Sequence, residues 1–382
     1  MLETPHFSRK YRNVFAELGY HPDEIQRRTN EIFHALFYGN EDMRLYHPVE
    51  PDMAFFEDTG NLDVRTEGMS YAMMMCVQMD RKSEFDRLWK WAKQYMFLDD
   101  GPNAGYFAWS CGPDGSKNAQ GAAPDGEEFF AMALFFAAHR WGDGDGIFNY
   151  TAEARQLLHT CLHKEEDGNG GRSMWDPSNH LIRFVPEVDF SDPSYHLPHF
   201  YELFALWANE EDRPFWKQAA AASRDYWRRA CHPETGLCAE YADMEGRPQK
   251  TDPKRYGGRH DWYYSDAYRT ILNIGLDALW FGCTPWASEE ADRLQKFFCE
   301  TVPGNNQAIY EVDGTVLPLP ALHPVAIIAT NAAASLAADG PWAEVCVRRF
   351  WETPLRTGER RYYDNCLYFF SFLALSGNYR IY

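Results

Sequence analysis

Ser70-Tyr-Ala-Met-Met-Met-Cys-Val-Gln-Met79 is apolar around its whole circumference. Wound at 3.6 residues per turn, this segment has no polar stripe to offer water, so as a helix it must be buried on every side. Three further segments share the property: Phe129-Phe-Ala-Met-Ala-Leu-Phe-Phe-Ala-Ala138, Val325-Ala-Ile-Ile-Ala-Thr-Asn-Ala-Ala-Ala-Ser-Leu336 and Leu367-Tyr-Phe-Phe-Ser-Phe-Leu-Ala-Leu375. Between them lie amphipathic segments, Lys82 to Phe97, Thr151 to His163, Pro214 to Ala230 and Ser288 to Cys299. Each of these presents one polar face to solvent. Alternation of the two kinds implies two concentric layers. The simple closed solution is an all-α (α/α)6 barrel, six inner helices ringed by six outer ones, with residues 1–382 forming one catalytic-sized domain. An α-solenoid is the open alternative, and the lack of a fixed-period repeat argues against it.

Periodicity places helices near 22–38, 66–80, 82–97, 125–141, 151–164, 195–208, 212–231, 264–281, 287–301, 325–338, 341–351 and 362–376, with a shorter one near 8–18. Strand signals are few and short. Long loops at 40–65, 98–124, 165–194, 232–263 and 302–324 precede the inner helices. In an alternating barrel all inner helices run the same way, so their N-termini share one face. Glu67, Asp125, Asp266 and Asp364 fall at or near inner-helix starts, as do Tyr195 and His323. Chain connectivity alone gathers them, where loops on a rigid scaffold carry function.

Three of the acids sit among aromatic residues: Thr66-Glu67-Gly68-Met69-Ser70-Tyr71, Pro124-Asp125-Gly126-Glu127-Glu128 and Tyr264-Ser265-Asp266-Ala267-Tyr268. A single acid at a helix start is usually a cap, and that reading fits Asp125 and Asp364. Thr66 and Ser265 can serve as caps themselves, which leaves Glu67 and Asp266 free for another task. Two carboxylates across a cleft can cleave a glycosidic bond if one is protonated and the other ionised. Burial among rings and other acids raises the donor's pKa. Glu67, longer and followed by the Met-rich helix, fits the donor; Asp266 fits the base. Sugar epimerases, isomerases and polysaccharide lyases also use helical toroids, and so does non-catalytic sugar binding, so the pattern by itself leaves those classes open.

Composition narrows the partners. The chain has 382 residues and a formal net charge of −19, with no basic block. Nucleic acid and anionic membranes would be repelled; a neutral small ligand is compatible. No stretch approaches the ~20 apolar residues of a membrane span. The sequence opens Met1-Leu-Glu-Thr-Pro-His-Phe-Ser-Arg-Lys10, without an apolar signal core, and the expectation is a cytoplasmic protein. Nine cysteines with no Cys-x-x-Cys pair exclude a zinc ribbon or a disulfide framework. His196 and His199 lack an acidic or Cys partner and read as structural or substrate contacts; Asp167-Gly-Asn-Gly-Gly171 lacks the twelfth-position Glu of a calcium loop and reads as a turn. Trp141-Gly-Asp-Gly-Asp-Gly146 is another acidic turn. No metal or other cofactor is expected.

The segment Asp58-Thr-Gly-Asn-Leu-Asp-Val-Arg-Thr-Glu-Gly-Met-Ser-Tyr71 resembles the signature of glycoside hydrolase family 8, an inverting (α/α)6-barrel family of endoglucanases, chitosanases and xylanases. The resemblance continues through Gly105-Tyr-Phe-Ala-Trp-Ser110, Ala123-Pro-Asp-Gly-Glu-Glu128, Phe190-Ser-Asp-Pro-Ser-Tyr-His-Leu-Pro-His199 and Arg360-Arg-Tyr-Tyr-Asp-Asn365. In detail it is closest to the exo-oligoxylanases of that family that release xylose from the reducing end, whose distinguishing loop is matched by Ala321-Leu-His-Pro324. The resemblance implies that Glu67 is the general acid and Asp266 the general base. It implies that Asp125 contacts the sugar at the −1 subsite, that Tyr195 holds the attacking water with Asp266, and that Arg269 orients that base. Trp109 would stack on a pyranose ring, and Tyr363 would contact substrate. Leu322 and His323 would close the cleft beyond +1. The implied substrates are small neutral β-1,4-xylooligosaccharides; an endo-acting xylanase or glucanase is the alternative within the family. Trp262-Tyr-Tyr-Ser265, ahead of the base, is bulkier than the family pattern.

Overall fold

The computed structural model describes residues 9–304 and 307–382. Twelve helices build the barrel. The odd-numbered, outer ones are α1 (Pro22–Tyr38), α3 (Lys82–Trp91), α5 (Tyr150–His163), α7 (Arg213–Ala230), α9 (Pro285–Lys296) and α11 (Trp342–Glu352). The even-numbered, inner ones are α2 (Thr66–Gln78), α4 (Pro124–Trp141), α6 (Pro198–Trp207), α8 (Tyr268–Phe281), α10 (Pro324–Ala333) and α12 (Arg361–Leu375). Each inner helix packs on the next, and α12 returns to α2, so the inner ring closes. Five outer helices pack on the inner helix that precedes them in the chain, and α1 packs on α12. The fold is an (α/α)6 barrel.

Burial follows the patterning that demanded it. Every residue of α12 is buried, as are Pro124–Ala137 of α4. One continuous apolar core runs from Val14 to Tyr379. Neighbouring inner helices touch through glycine: a Cβ at Gly126 would meet the Thr66 side chain at 2.4 Å, and one at Gly275 the Ala333 carbonyl at 2.7 Å. This crossing brings the starts of α2 and α4, and with them Glu67 and Asp125, into one place.

Several helix ends differ from their periodic limits. The expected 82–97 and 287–301 are α3 and α9 followed by wider π-type turns at Ala92–Met96 and Phe297–Thr301. The expected 195–208 begins only at Pro198. Leu197, preceding proline, is pushed out of the helical region (φ −122°, ψ 64°), and Tyr195 stands in a separate turn, Pro193–Tyr195. Of the short helix expected at 8–18, Val14–Glu17 is helical, and Ser8 lies outside the described residues, as do Asn305 and Asn306 of the last long loop.

The long loops are not bare. Strands β1 (Tyr46–Val49), β2 (Met53–Asp58), β3 (Asp63–Arg65) and β4 (Ser110–Cys111) form an antiparallel sheet in that order. It joins the loop before α2 to the loop before α4. Strand β5 (Phe190–Ser191) pairs with β6 (Ala242–Asp243), and β7 (Trp262–Tyr263), β8 (Ala308–Glu311) and β9 (Val316–Pro320) form a third sheet. These small sheets tie the loops to one another and stiffen the face on which the inner helices begin.

Candidate active site

A cleft of about 840 Å³ opens on that face. Eight of the nine residues singled out from sequence line it: Glu67, Trp109, Asp125, Tyr195, Asp266, Leu322, His323 and Tyr363. The ninth, Arg269, lies beneath its floor, only 4% exposed. The order of the inner helices places them: Glu67 in the first turn of α2, Asp125 in that of α4, Asp266 just ahead of α8, His323 at the start of α10 and Tyr363 in α12.

Arg269 is the electrostatic centre. Its Nη1 donates to Glu67 Oε2 at 2.8 Å, to Tyr71 Oη at 2.9 Å and to Asp125 Oδ2 at 3.2 Å. Its Nη2 lies 3.3 Å from Asp266 Oδ1 and 3.8 Å from Asp192 Oδ2. The sequence reading paired Arg269 with the base alone. The guanidinium fork, with five donors in one plane, instead bridges all three expected acids and adds Asp192. Ser194 fixes the fork from the side by accepting from Nε at 3.1 Å.

One cation among four carboxylates leaves an excess of negative charge in a dry place. Burial, only partly offset by Arg269 and reinforced by Asp125 and Asp266, pushes Glu67 up to about 8. Asp125 rises to about 6 for the same reason, burial opposed by Arg269. Buried Asp192 is driven well above the usual carboxylate range. Tyr362 donates to Glu67 Oε1 at 2.8 Å, so Oε1 has a fixed donor and Oε2 a fixed cation. A Cβ on Gly68 would strike the Tyr362 hydroxyl at 2.7 Å, so the glycine next to Glu67 leaves room for that contact. Asp266 differs: its side chain is 26% exposed and faces the cleft. Ser265 just before it has φ +36°, a region that non-glycine residues rarely adopt and that marks backbone held under constraint.

The two caps expected from sequence are absent. Thr66 is itself the first helical residue of α2 and Arg65, the preceding residue, makes no side-chain cap bond. Ser265 opens a short 3-10 turn with no side-chain cap. Glu67 and Asp266 are freed by Arg269 and the barrel, not by neighbouring hydroxyls. Asp364 is a cap, of another helix: its Oδ1 accepts from Ala326 N of α10 at 2.7 Å. Fully buried, it also holds Arg356 and lies 3.3 Å from His323 Nδ1. Arg356 in turn donates to the Leu322 carbonyl at 2.5 Å. The Leu322–His323 corner is therefore bolted to α12, and the His323 ring rests 4.9 Å from that of Tyr363.

Other residues escaped the sequence reading. Arg65 sets its guanidinium 5.3 Å from the ring of the expected platform Trp109, itself 38% exposed. Asn103, Gln120, Phe184, Glu187, Tyr241 and Tyr256 line the cleft from the loops. Glu240, raised to about 7 by burial despite its contact with His260, accepts from Asp266 N at 3.4 Å. His196 is buried between Ser191 and Ser223, and His199 is buried among rings; burial lowers both to about 3. Asp167 caps its own turn through Asn169 N at 2.8 Å.

This constellation, acids on one arginine beneath an aromatic-walled cleft in an (α/α)6 barrel, meets a matching comparison. The sequence model of glycosyl hydrolases family 8 matches residues 56–375. The chain belongs to this family. It is 58% identical to a "reducing end xylose-releasing exo-oligoxylanase" of Halalkalibacterium halodurans, over 99% of this chain and 96% of the relative. It is 50% identical to a protein of the same name from Bifidobacterium adolescentis, over 96% of each. The structure of Rex8A from Paenibacillus barcinonensis complexed with xylose superposes with a TM-score of 0.96 at 55% identity and covers all of both chains. No helix among the described residues is long and apolar enough to cross a membrane.

The same burial that tunes this family 8 site has a consequence for stability. A carboxyl group whose pKa rises on folding binds its proton more tightly in the native than in the unfolded chain. Its contribution is whole below its ordinary value and drains away as pH climbs toward the native value. Asp125 (about 6), Glu240 and Glu290 (about 7) and Glu127 (about 8) all act in that direction, each through burial. The Tm is expected to fall by several degrees between about pH 5 and about pH 8; thermal melts across that range check it, and a rising Tm would contradict it.

Proposed function

We propose that this protein is an inverting glycosidase that releases single xylose units from the reducing end of short β-1,4-xylooligosaccharides. The observation that carries the reading is the pair Glu67 and Asp266, held by opposite ends of one guanidinium at the floor of one cleft. Glu67 Oε2 lies 2.8 Å from Nη1 and Asp266 Oδ1 3.3 Å from Nη2; inversion requires the two carboxyl groups to stand roughly 6.5–9.5 Å apart, so that a water fits between sugar and base. Glu67, protonated at neutral pH, gives its proton to the leaving oxygen. Asp266 takes a proton from water on the opposite face of the ring, and the anomeric configuration inverts. Tyr195, whose ring lies 5.3 Å from the Arg269 guanidinium, helps hold that water. Asp125 binds the distorted sugar at −1, and Trp109 stacks on a pyranose further along.

Exo action comes from the corner at Leu322 and His323, which leaves space for one sugar beyond the scissile bond. Xylose preference is supported by the names of relatives at 50–58% identity. The whole chain acts as one catalytic unit, which its continuous core supports. A cytoplasmic location suits substrates already cut to importable length; cell fractionation tests it.

Incubation with xylotriose and xylohexaose tests the reading. Stepwise xylose from both supports it; early internal fragments of xylohexaose would make the enzyme endo-acting, and unchanged reducing-end counts would point to an epimerase. His323→Ala opens the block, and internal cleavage of xylohexaose should rise about tenfold relative to xylose release, a shift of about 1.4 kcal/mol, within the about 1–3 kcal/mol carried by one lost hydrogen-bonding group. An unchanged product profile would remove His323 from this role.

A further inference from the structure

Away from the cleft, outer helix α5 ends in His159 and His163, one helical turn apart, and both rings reach Asp212, the residue that precedes α7. His163 Nε2 lies 2.7 Å from Asp212 Oδ1, and His159 Nδ1 lies 3.2 Å from Asp212 Oδ2. One ligand atom from each of the three falls within 4.8 Å of the others. The two imidazoles are stacked, 4.3 Å between centroids. Asp212 is buried, whereas the His159 and His163 side chains are 39% and 31% exposed, so solvent reaches the group from one side. None of the three lines the catalytic cleft.

A tetrahedral ion with bonds of about 2.0–2.1 Å needs its ligand atoms about 3.3 Å apart. The observed 2.7 and 3.2 Å run to the two different oxygens of Asp212, so a bound ion would draw both ring nitrogens toward one carboxylate through small rotations of the half-exposed rings. A second observation points the same way. The other nitrogen of His163, Nδ1, lies 2.7 Å from Glu166 Oε1. Metal-bound histidines regularly carry a carboxylate on the far nitrogen, which fixes the tautomer and the ring orientation. Two imidazoles and one carboxylate select zinc, nickel or copper over calcium or magnesium, which prefer all-oxygen sites.

We propose that His159, His163 and Asp212 form a binding site for a divalent cation of the zinc class, with water completing the coordination. The ion ties the end of α5 to the start of α7 and so clamps two outer helices; it takes no part in glycoside cleavage. Isothermal titration of chelator-treated protein with zinc chloride tests this. The wild type should take up one equivalent at this site. His159→Gln combined with His163→Gln should weaken binding by more than about 100-fold, and Glu166→Gln, which only removes the support of His163, by about tenfold. Zinc at about 100 times its Kd should raise the wild-type Tm by about 3 °C and leave that of the double variant unmoved. Absence of zinc uptake by the wild type, or equal affinity in the double variant, would overturn the site. Glu166 is exposed, so the single variant folds and keeps the test decisive if the double one does not.

Discussion

Glu67→Gln is expected to lower kcat on xylotriose by about 10³–10⁴-fold. Glutamine keeps the shape of the side chain and an acceptor for Tyr362, but it has no proton to give. The loss should shrink sharply on β-xylobiosyl fluoride, whose leaving group needs little protonation. The pH profile carries a second signature. A general acid at Glu67 acts only when protonated, and burial holds that group up at about 8, so on this reading wild-type kcat/KM should fall as pH rises through that value. The limb should vanish in the variant. Equal losses on both substrates, with the limb intact, would show that Glu67 is not the donor.

Asp266→Ala is expected to cost about 10³-fold in kcat, because the proposed mechanism assigns it the proton of the attacking water. Azide, a nucleophile that needs no base, should restore turnover in this variant and yield the α-configured glycosyl azide. It should leave Glu67→Gln unrescued. The charge network adds a further expectation. Asp266 is one of the like charges that raise Glu67; with it gone, the alkaline limb should move below about 8. Absence of azide rescue together with an unmoved limb would remove Asp266 from the base position.

The fold was legible because the inner helices leave no choice. Segments such as Ser70–Met79 and Leu367–Leu375 have no polar face, and only a ring of amphipathic helices can cover them. The shared direction of the inner helices then put Glu67, Asp125 and Asp266 on one face, and the cleft contains all three. The strands were not legible. Met53–Asp58 buries Ala54, Phe56 and Asp58 and turns Met53, Phe55 and Glu57 outward, so apolar and acidic residues occupy both faces and no alternation shows. Asp192 and Glu240 come from loops whose only bond to the site is tertiary. Their local signals, a turn at Asp-Pro-Ser and nothing at all around Glu240, could not announce a place beside Arg269 and Asp266. Asp364 illustrates the converse: its position at a helix start read as a cap, and a cap it is, but of α10 rather than of its own helix, where it also anchors His323.

Gly68 shows how far the site reaches into backbone geometry. A side chain there would displace Tyr362 from Glu67, and Glu67 would lose one of its two fixed partners. On the other side of the cleft, the positive φ of Ser265 puts constrained backbone directly before Asp266.

The stereochemistry of the first product tests the central claim most directly. Proton NMR of xylotriose hydrolysis, recorded before mutarotation, reads the new reducing end of xylobiose. A donor at Glu67 and a water-activating base at Asp266 predict the α anomer first. The β anomer appearing first would mean a covalent intermediate and retention, and would contradict the account.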